Sequence, residues 1–144
     1  MDLSWHNVPR CYLCTFLRGN GVSSFTSELK LTPLNNGIHW KLLERFEYHL
    51  GIEGSGLVLA VPEDFVTDFA SIPRFFWRVL PPWNTHGKAA VLHDWMYQSG
   101  TLSRIVSDAI FLEAMGVLGV AKWKRYAMYM VVRMFGWTAY KGGS

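Results

Sequence analysis

The stretch 87-GKAAVLHDWMYQSGTLSRIVSDAIFLEAMG-116 decides the fold. Ala89, Ala90, His93 and Tyr97 recur at helical spacing, and Gly100 stands where a helix would stop. Ser103 is a suitable N-cap for a second helix over about 104–118, with Gly119 ending it. A third helix is predicted from Ala121 to about Trp137. The short connection 98-QSGTLS-103 predicts that the first two helices pack antiparallel, as a helical hairpin.

Upstream of Gly87 the period is different. Residues 25-FTSELKL-31 alternate Phe25, Ser27, Leu29 and Leu31, and 35-NNG-37 marks a turn. In 38-IHWKLLERFEYHL-50 the residues Ile38, Trp40, Leu42, Phe46 and Tyr48 share one parity, which predicts a strand. The glycine-rich 51-GIEGSG-56 reads as a hairpin loop and 57-LVLAV-61 as a compact apolar strand ending at Pro62. The following 63-EDFVTDFASIPR-74 is short, mixed and closed by Pro73. Antiparallel strands and hairpins followed by three helices make an α+β domain over residues 25–144, with residues 1–24 as an N-terminal extension.

Composition narrows the function. A chain of 144 residues forms one domain with a real core. It is 50% hydrophobic and 15% aromatic but only 17% charged, where about a quarter is usual. The apolar excess must be covered by the core, a partner protein or lipid. Residues 116–144 hold five basic residues and no acidic one; the whole chain carries +3, so residues 1–115 carry −2. Trp123, Tyr126, Tyr129 and Trp137 are interleaved with those cations. Two readings follow: peripheral contact with a phosphate-bearing membrane surface, or a helix packed by its aromatics with lysines in water. Five cations over about thirty positions make no dense patch, which disfavours nucleic acid. Cys11 and Cys14 lack the further ligands a structural zinc site needs and read as free thiols. No signal peptide is apparent, and Arg133 interrupts the best apolar run, so any membrane contact is expected to be peripheral.

The residues that would carry chemistry lie in the helical hairpin. Asp94 projects about 100° round the helix from His93, so the two serve different neighbours. On the second helix Asp108 falls on the apolar stripe of Ile105, Leu112 and Met115, with Ala109 alongside. A carboxylate on a core-facing stripe is costly unless paired. The antiparallel hairpin would bring it to His93 or Tyr97. Such a carboxylate would fix the imidazole tautomer and stabilise the imidazolium of a general base. Asp94 would then bind a divalent cation such as calcium, with Asp68, Thr67, Ser71 and loop carbonyls as oxygen ligands and His86 as a further polar group. Arg74 would anchor a substrate anion or lie at the surface. Arg104, in the first turn of its helix, would need an acidic partner, Asp68 or Asp94. The competing reading is a buried His–Asp–Tyr network that ties two helices together and does no chemistry.

The segments 61-VPEDFVTDFASIPRFFW-77, 89-AAVLHDWMY-97 and 103-SRIVSDAIFLEAMGVLGV-120 resemble the phage and prophage family called domain of unknown function 1353, over about residues 25–138. The resemblance implies a bacteriophage or prophage origin, and with it a location in the host cytoplasm or a virion, and no established activity. His93, Asp94, Tyr97 and Asp108 are also similar in type and order to the site of phospholipases that cleave the sn-2 ester. That similarity implies His93 as the base that activates water, Asp94 as a calcium ligand and Asp108 as the orienter. The glycine-rich calcium loop and dense disulfides of those enzymes have no counterpart here. Two functions are therefore carried forward. One is a hydrolase acting on a phospholipid or another envelope ester or amide. The other is a non-catalytic phage structural or accessory protein that docks on a virion assembly or a host protein.

Overall fold

The computed structural model of the chain describes residues 23–35, 38–51, 57–69 and 86–142. Cys11, Cys14, Ser71 and Arg74 lie outside the described residues, as does most of the predicted extension.

Six short strands precede three helices, an α+β arrangement. They are β1 (Ser24–Phe25), β2 (Leu31–Pro33), β3 (Trp40–Leu42), β4 (Phe46–His49), β5 (Val58–Val61) and β6 (Val66–Thr67). Two antiparallel sheets result, with orders β1-β4-β5 and β2-β3-β6. The alternation of residues 25–31 predicts one strand there, and the parity of 38–50 another. Each is in fact two. The register is nevertheless continuous, with Ser24 opposite His49, Phe25 opposite Tyr48, Leu31 opposite Leu42 and Pro33 opposite Trp40. Thr26 N–H to the Glu47 carbonyl and Leu43 N–H to the Lys30 carbonyl carry the ladder across the gap. A single long hairpin thus bends near its middle and divides between two sheets. Parity survives the bend because Leu42 and Phe46 on either side enter the same core.

The second hairpin follows the predicted loop: β4 pairs with β5, and Leu50 N–H meets the Leu57 carbonyl at 2.9 Å. The chain then returns to β3 through β6, with Trp40 opposite Thr67. That return sets Thr67 beside the helices. Phe69, two residues on, has a positive φ of 53°. A bulky side chain there is strained by about 1–2 kcal/mol. Its backbone N–H bonds the Thr67 hydroxyl, and its ring is buried in the core, which holds the strained turn.

The helices are α1 (Gly87–Ser99), α2 (Arg104–Val117) and α3 (Lys122–Phe135), the last continued by a 3-10 turn over Gly136–Thr138. Their limits are close to those read from the sequence. Gly100 caps α1 in the left-handed conformation, φ 61°, and Gly119 follows α2 at φ 73°. α1 is buried nearly all round: Ala89 to Asp94, Met96 and Tyr97 are all buried. It is the central rod of the domain, with the sheets on one side and α2 on the other. Val91, Leu92 and Met96 meet Phe46, Phe111, Met115, Met128 and Val132 in one core.

Two helical faces differ from expectation. The buried face of α2 is Ser107, Asp108, Ile110, Phe111, Ala114 and Met115, while Ile105 is 66% exposed. α2 packs against α1 and α3 at once, so its buried arc is centred between them rather than on the Ile105–Leu112 line. In α3 the inner residues are Met128, Val131 and Val132, and the aromatic side chains of Trp123, Tyr126 and Trp137 point outward. The helix packed by its aromatics is therefore corrected. Among the described residues no helix is long and apolar enough to cross a membrane.

The two left-handed glycines that end α1 and α2 give a direct test. A Cβ on Gly100 would sit 2.8 Å from the Gly142 Cα, whereas one on Gly119 would meet nothing within 4 Å. Gly119→Ala is expected to cost about 1 kcal/mol from its backbone conformation, and Gly100→Ala measurably more. Urea unfolding of both variants checks the difference.

Candidate functional site

α1 divides its two ionisable neighbours between two partners. His93 faces the helical side and Asp94 faces β6, as expected from their 100° separation. Asp94 Oδ2 accepts the Thr67 hydroxyl at 2.5 Å, and both residues are buried. The grouping of Asp94 with the loop at 67–68 is met in space.

On the other side Asp108 is the centre. Its Oδ1 lies 2.8 Å from His93 Nε2 and accepts the Tyr97 hydroxyl at 2.5 Å. Its Oδ2 accepts from Arg133 Nη1 at 2.8 Å. His93 and Asp108 are each 0% exposed. Burial alone would push the Asp108 carboxyl up, but donation from His93, Tyr97 and Arg133 holds it below the usual carboxylate range. Burial lowers the His93 pKa, and Asp108 only partly opposes that. The Tyr97 phenol is driven up, first by burial and then by its bond to Asp108. The stable form is therefore a carboxylate, a neutral imidazole, a neutral phenol and a guanidinium. An ionised Asp108 can only accept, so the imidazole proton is on Nε2. The lone pair on Nδ1 is buried without a hydrogen-bond partner among the described residues. The ring is packed between Tyr97 and Phe111, with centroids 4.1 and 4.7 Å away.

Arg133 and Gly136 belong to this cluster and are not among the sequence candidates. A Cβ on Gly136 would lie 2.6 Å from the Tyr97 hydroxyl and 3.0 Å from its ring edge. Only a residue without a side chain lets the phenol reach Asp108. Tyr140 adds an edge-on ring to Tyr97 at 5.3 Å, and the Lys141 N–H bonds the Tyr97 carbonyl. Arg104 takes neither of its predicted acidic partners in the described hydrogen bonds. Its Nη1 donates to the Arg133 carbonyl at 3.3 Å, near the end of α3. That is a favourable place for a cation.

A cleft of about 460 Å³ lies beside the cluster, lined by Asp68, Asp94, Tyr97, His39 and Lys141 among others. Asp68 and Asp94 come together there. His93 and Asp108 do not line it, and neither does His86, which sits at the N-terminus of α1. Among the described residues no group of three or more His, Cys, Asp or Glu side chains is placed to hold a metal ion.

Comparison with known proteins gives a family and no activity. A family described as "Protein of unknown function (DUF1353)" matches residues 40–132. The uncharacterized protein y4jT of Sinorhizobium fredii (strain NBRC 101917 / NGR234) is 34% identical over 88 residues, which is 58% of this chain and 26% of that protein. The chain thus spans about a quarter of the length of that relative. No solved structure matches it.

Two substitutions test the cluster. Asp108→Asn strips the charge from a buried acceptor and is expected to cost on the order of 3 kcal/mol near pH 7. Because the folded carboxyl lies below its unfolded value, its stabilisation is present above about pH 4 and is lost as pH falls through the folded pKa. The gap between wild type and variant in denaturant titrations should therefore close in acid. Gly136→Ala should displace Tyr97 at a cost of about 1–3 kcal/mol, and combining it with Tyr97→Phe should be less than additive.

Proposed function

The chain belongs to the DUF1353 family, and we propose that it works by binding rather than by turnover, as an accessory or structural protein of a phage or prophage that docks on a larger assembly. The observation that carries this reading is the sealing of His93. A general base needs a nitrogen that a substrate or water can reach. Nε2 is engaged by Asp108, and Nδ1 is shut inside the protein among aromatic rings. The carboxylate that would orient a catalytic imidazole serves Arg133 and Tyr97 equally, which is the pattern of a clamp joining three helices. Asp94, the proposed cation ligand, accepts the Thr67 hydroxyl and helps hold the strained turn at Phe69. These roles assign His93, Tyr97, Asp94 and Asp108 to the scaffold.

Composition supports the same reading from the outside. A chain with few charges keeps large apolar side chains at its surface: Trp123, Trp137, Met130 and Met134 are all more than half exposed. Contiguous exposed apolar surface of that kind marks interaction sites with proteins or membranes.

The test pairs chemistry with accessibility. Wild type and His93→Gln are incubated with fluorescent phosphatidylglycerol and with peptidoglycan, with and without calcium. Neither is expected to release product above background, and His93→Gln should melt at a lower temperature. Ethoxyformylation followed by mass spectrometry should modify His39 and His49 in the native protein and spare His93 until it is unfolded. Product formation that disappears in His93→Gln would restore the hydrolase reading.

A further inference from the structure

We infer that the outer face of α3 is a docking surface for an anionic phospholipid bilayer. The inference rests on the non-catalytic binding reading above and adds a lipid surface to what the protein binds.

The face is continuous along the helix. Trp123, Tyr126, Met130, Met134 and Trp137 are spaced three or four residues apart, so they fall on one stripe. Each is more than half exposed, Trp123 at 62% and Trp137 at 69%. This stripe is separate from the inner one of Met128, Val131 and Val132 that seals the core. Ile105, also exposed, starts α2 at the end where α3 finishes, since Arg104 reaches the Arg133 carbonyl.

Charge selects the occupant. Lys122 and Lys124 lie about 100° to either side of Trp123. Lys124 Nζ stands 5.5 Å from the Trp123 ring centre, and the Arg125 guanidinium 5.8 Å from that of Tyr126. Between Arg104 and Gly142 the chain has two acidic residues, Asp108 and Glu113. Both turn inward: Asp108 is buried in the cluster, and Glu113 accepts the hydroxyl of buried Tyr48. The helical layer therefore presents aromatics, methionines and cations, with no carboxylate directed outward. A second copy would bring two such basic faces together. Residues 70–85 contain Arg74 and Arg78 with no acid, and residues 1–22 contain Arg10 and Arg18 against Asp2, so neither segment supplies the missing negative charge. A bilayer surface of anionic headgroups supplies both terms. Tryptophan and tyrosine settle at the headgroup level, methionine reaches the acyl boundary, and lysines meet lipid phosphates.

The test is co-sedimentation of the full chain with vesicles of phosphatidylglycerol and phosphatidylcholine, and with phosphatidylcholine alone. Tryptophan quenching by brominated lipid reports insertion. Binding to the anionic vesicles, weakened by salt, with quenched tryptophan is expected. Trp123→Ser combined with Trp137→Ser should lower affinity by tenfold or more, with the melting temperature nearly unchanged because both residues are exposed. Lys122→Gln with Lys124→Gln should lower it by roughly 30-fold, at about 1 kcal/mol per cation. Equal binding to the two vesicle types, no effect of the tryptophan variants, or a dimer in solution that those variants dissolve would each overturn the proposal. Vesicle binding and His93-dependent lipid hydrolysis are read separately. Absence of binding defeats the docking surface alone, and hydrolysis lost in His93→Gln defeats the non-catalytic reading alone.

Discussion

A buried carboxylate organises this molecule. Asp108 sits on α2 with no exposed surface, and its two oxygens receive His93 and Tyr97 from α1 and Arg133 from α3. Left unpaired, such a charge would be costly enough to unfold a domain of this size. The three helices can satisfy it only when they are in register together, which makes the ion cluster a specification of their relative position. Apolar packing alone is less discriminating, because methionines such as Met96, Met115 and Met128 fill irregular space in more than one arrangement.

The same helix binds the sheets by a second polar contact. Asp94 meets Thr67 at the end of β6, and the Thr67 hydroxyl in turn accepts the Phe69 N–H. Thr67 thus passes the position of α1 to a strained turn whose aromatic ring fills the core. A third contact, Tyr48 to Glu113, ties β4 directly to α2. Burial raises the Glu113 pKa. Each layer of the fold is joined to the next by at least one buried polar bond, and each bond involves a residue whose alternative partner would be water. The adjacent His93 and Asp94 are the two ends of the fastening that runs through α1.

Much of this was legible in the sequence because ionisable residues in apolar surroundings need partners. Asp108 on a core stripe pointed to His93 and Tyr97, and the pairing exists. The helix limits followed from Gly100, Ser103 and Gly119, which act locally. What could not be read depends on more than one element. Arg133 looked like an interruption of an apolar run, because its partner lies on another helix. Gly136 has an ordinary helical backbone, so nothing local marks it; its need appears only when Tyr97 is beside it. The stripe on α2 was misplaced because a helix packed on two sides buries an arc set by both neighbours. The bend in the first hairpin was invisible because parity is preserved across it.

The cluster also anchors α3, although it does not choose the helix's inner face. At 100° per residue Arg133 lies about 20° round the helix from Tyr126 and about 80° from Trp123, but about 140–160° from Met128 and Val131. It therefore shares the outward half of the helix with the aromatics, and its long side chain reaches back to Asp108 while staying 29% exposed. Met128, Val131 and Val132 set the face that enters the core, and the ion pair fixes how α3 sits against α2 once that face is buried. Trp123, Met130 and Met134 are left outside because the inner face is already filled. The fold by itself gains nothing from leaving tryptophan in water, and the docking surface proposed above gives that stripe a use.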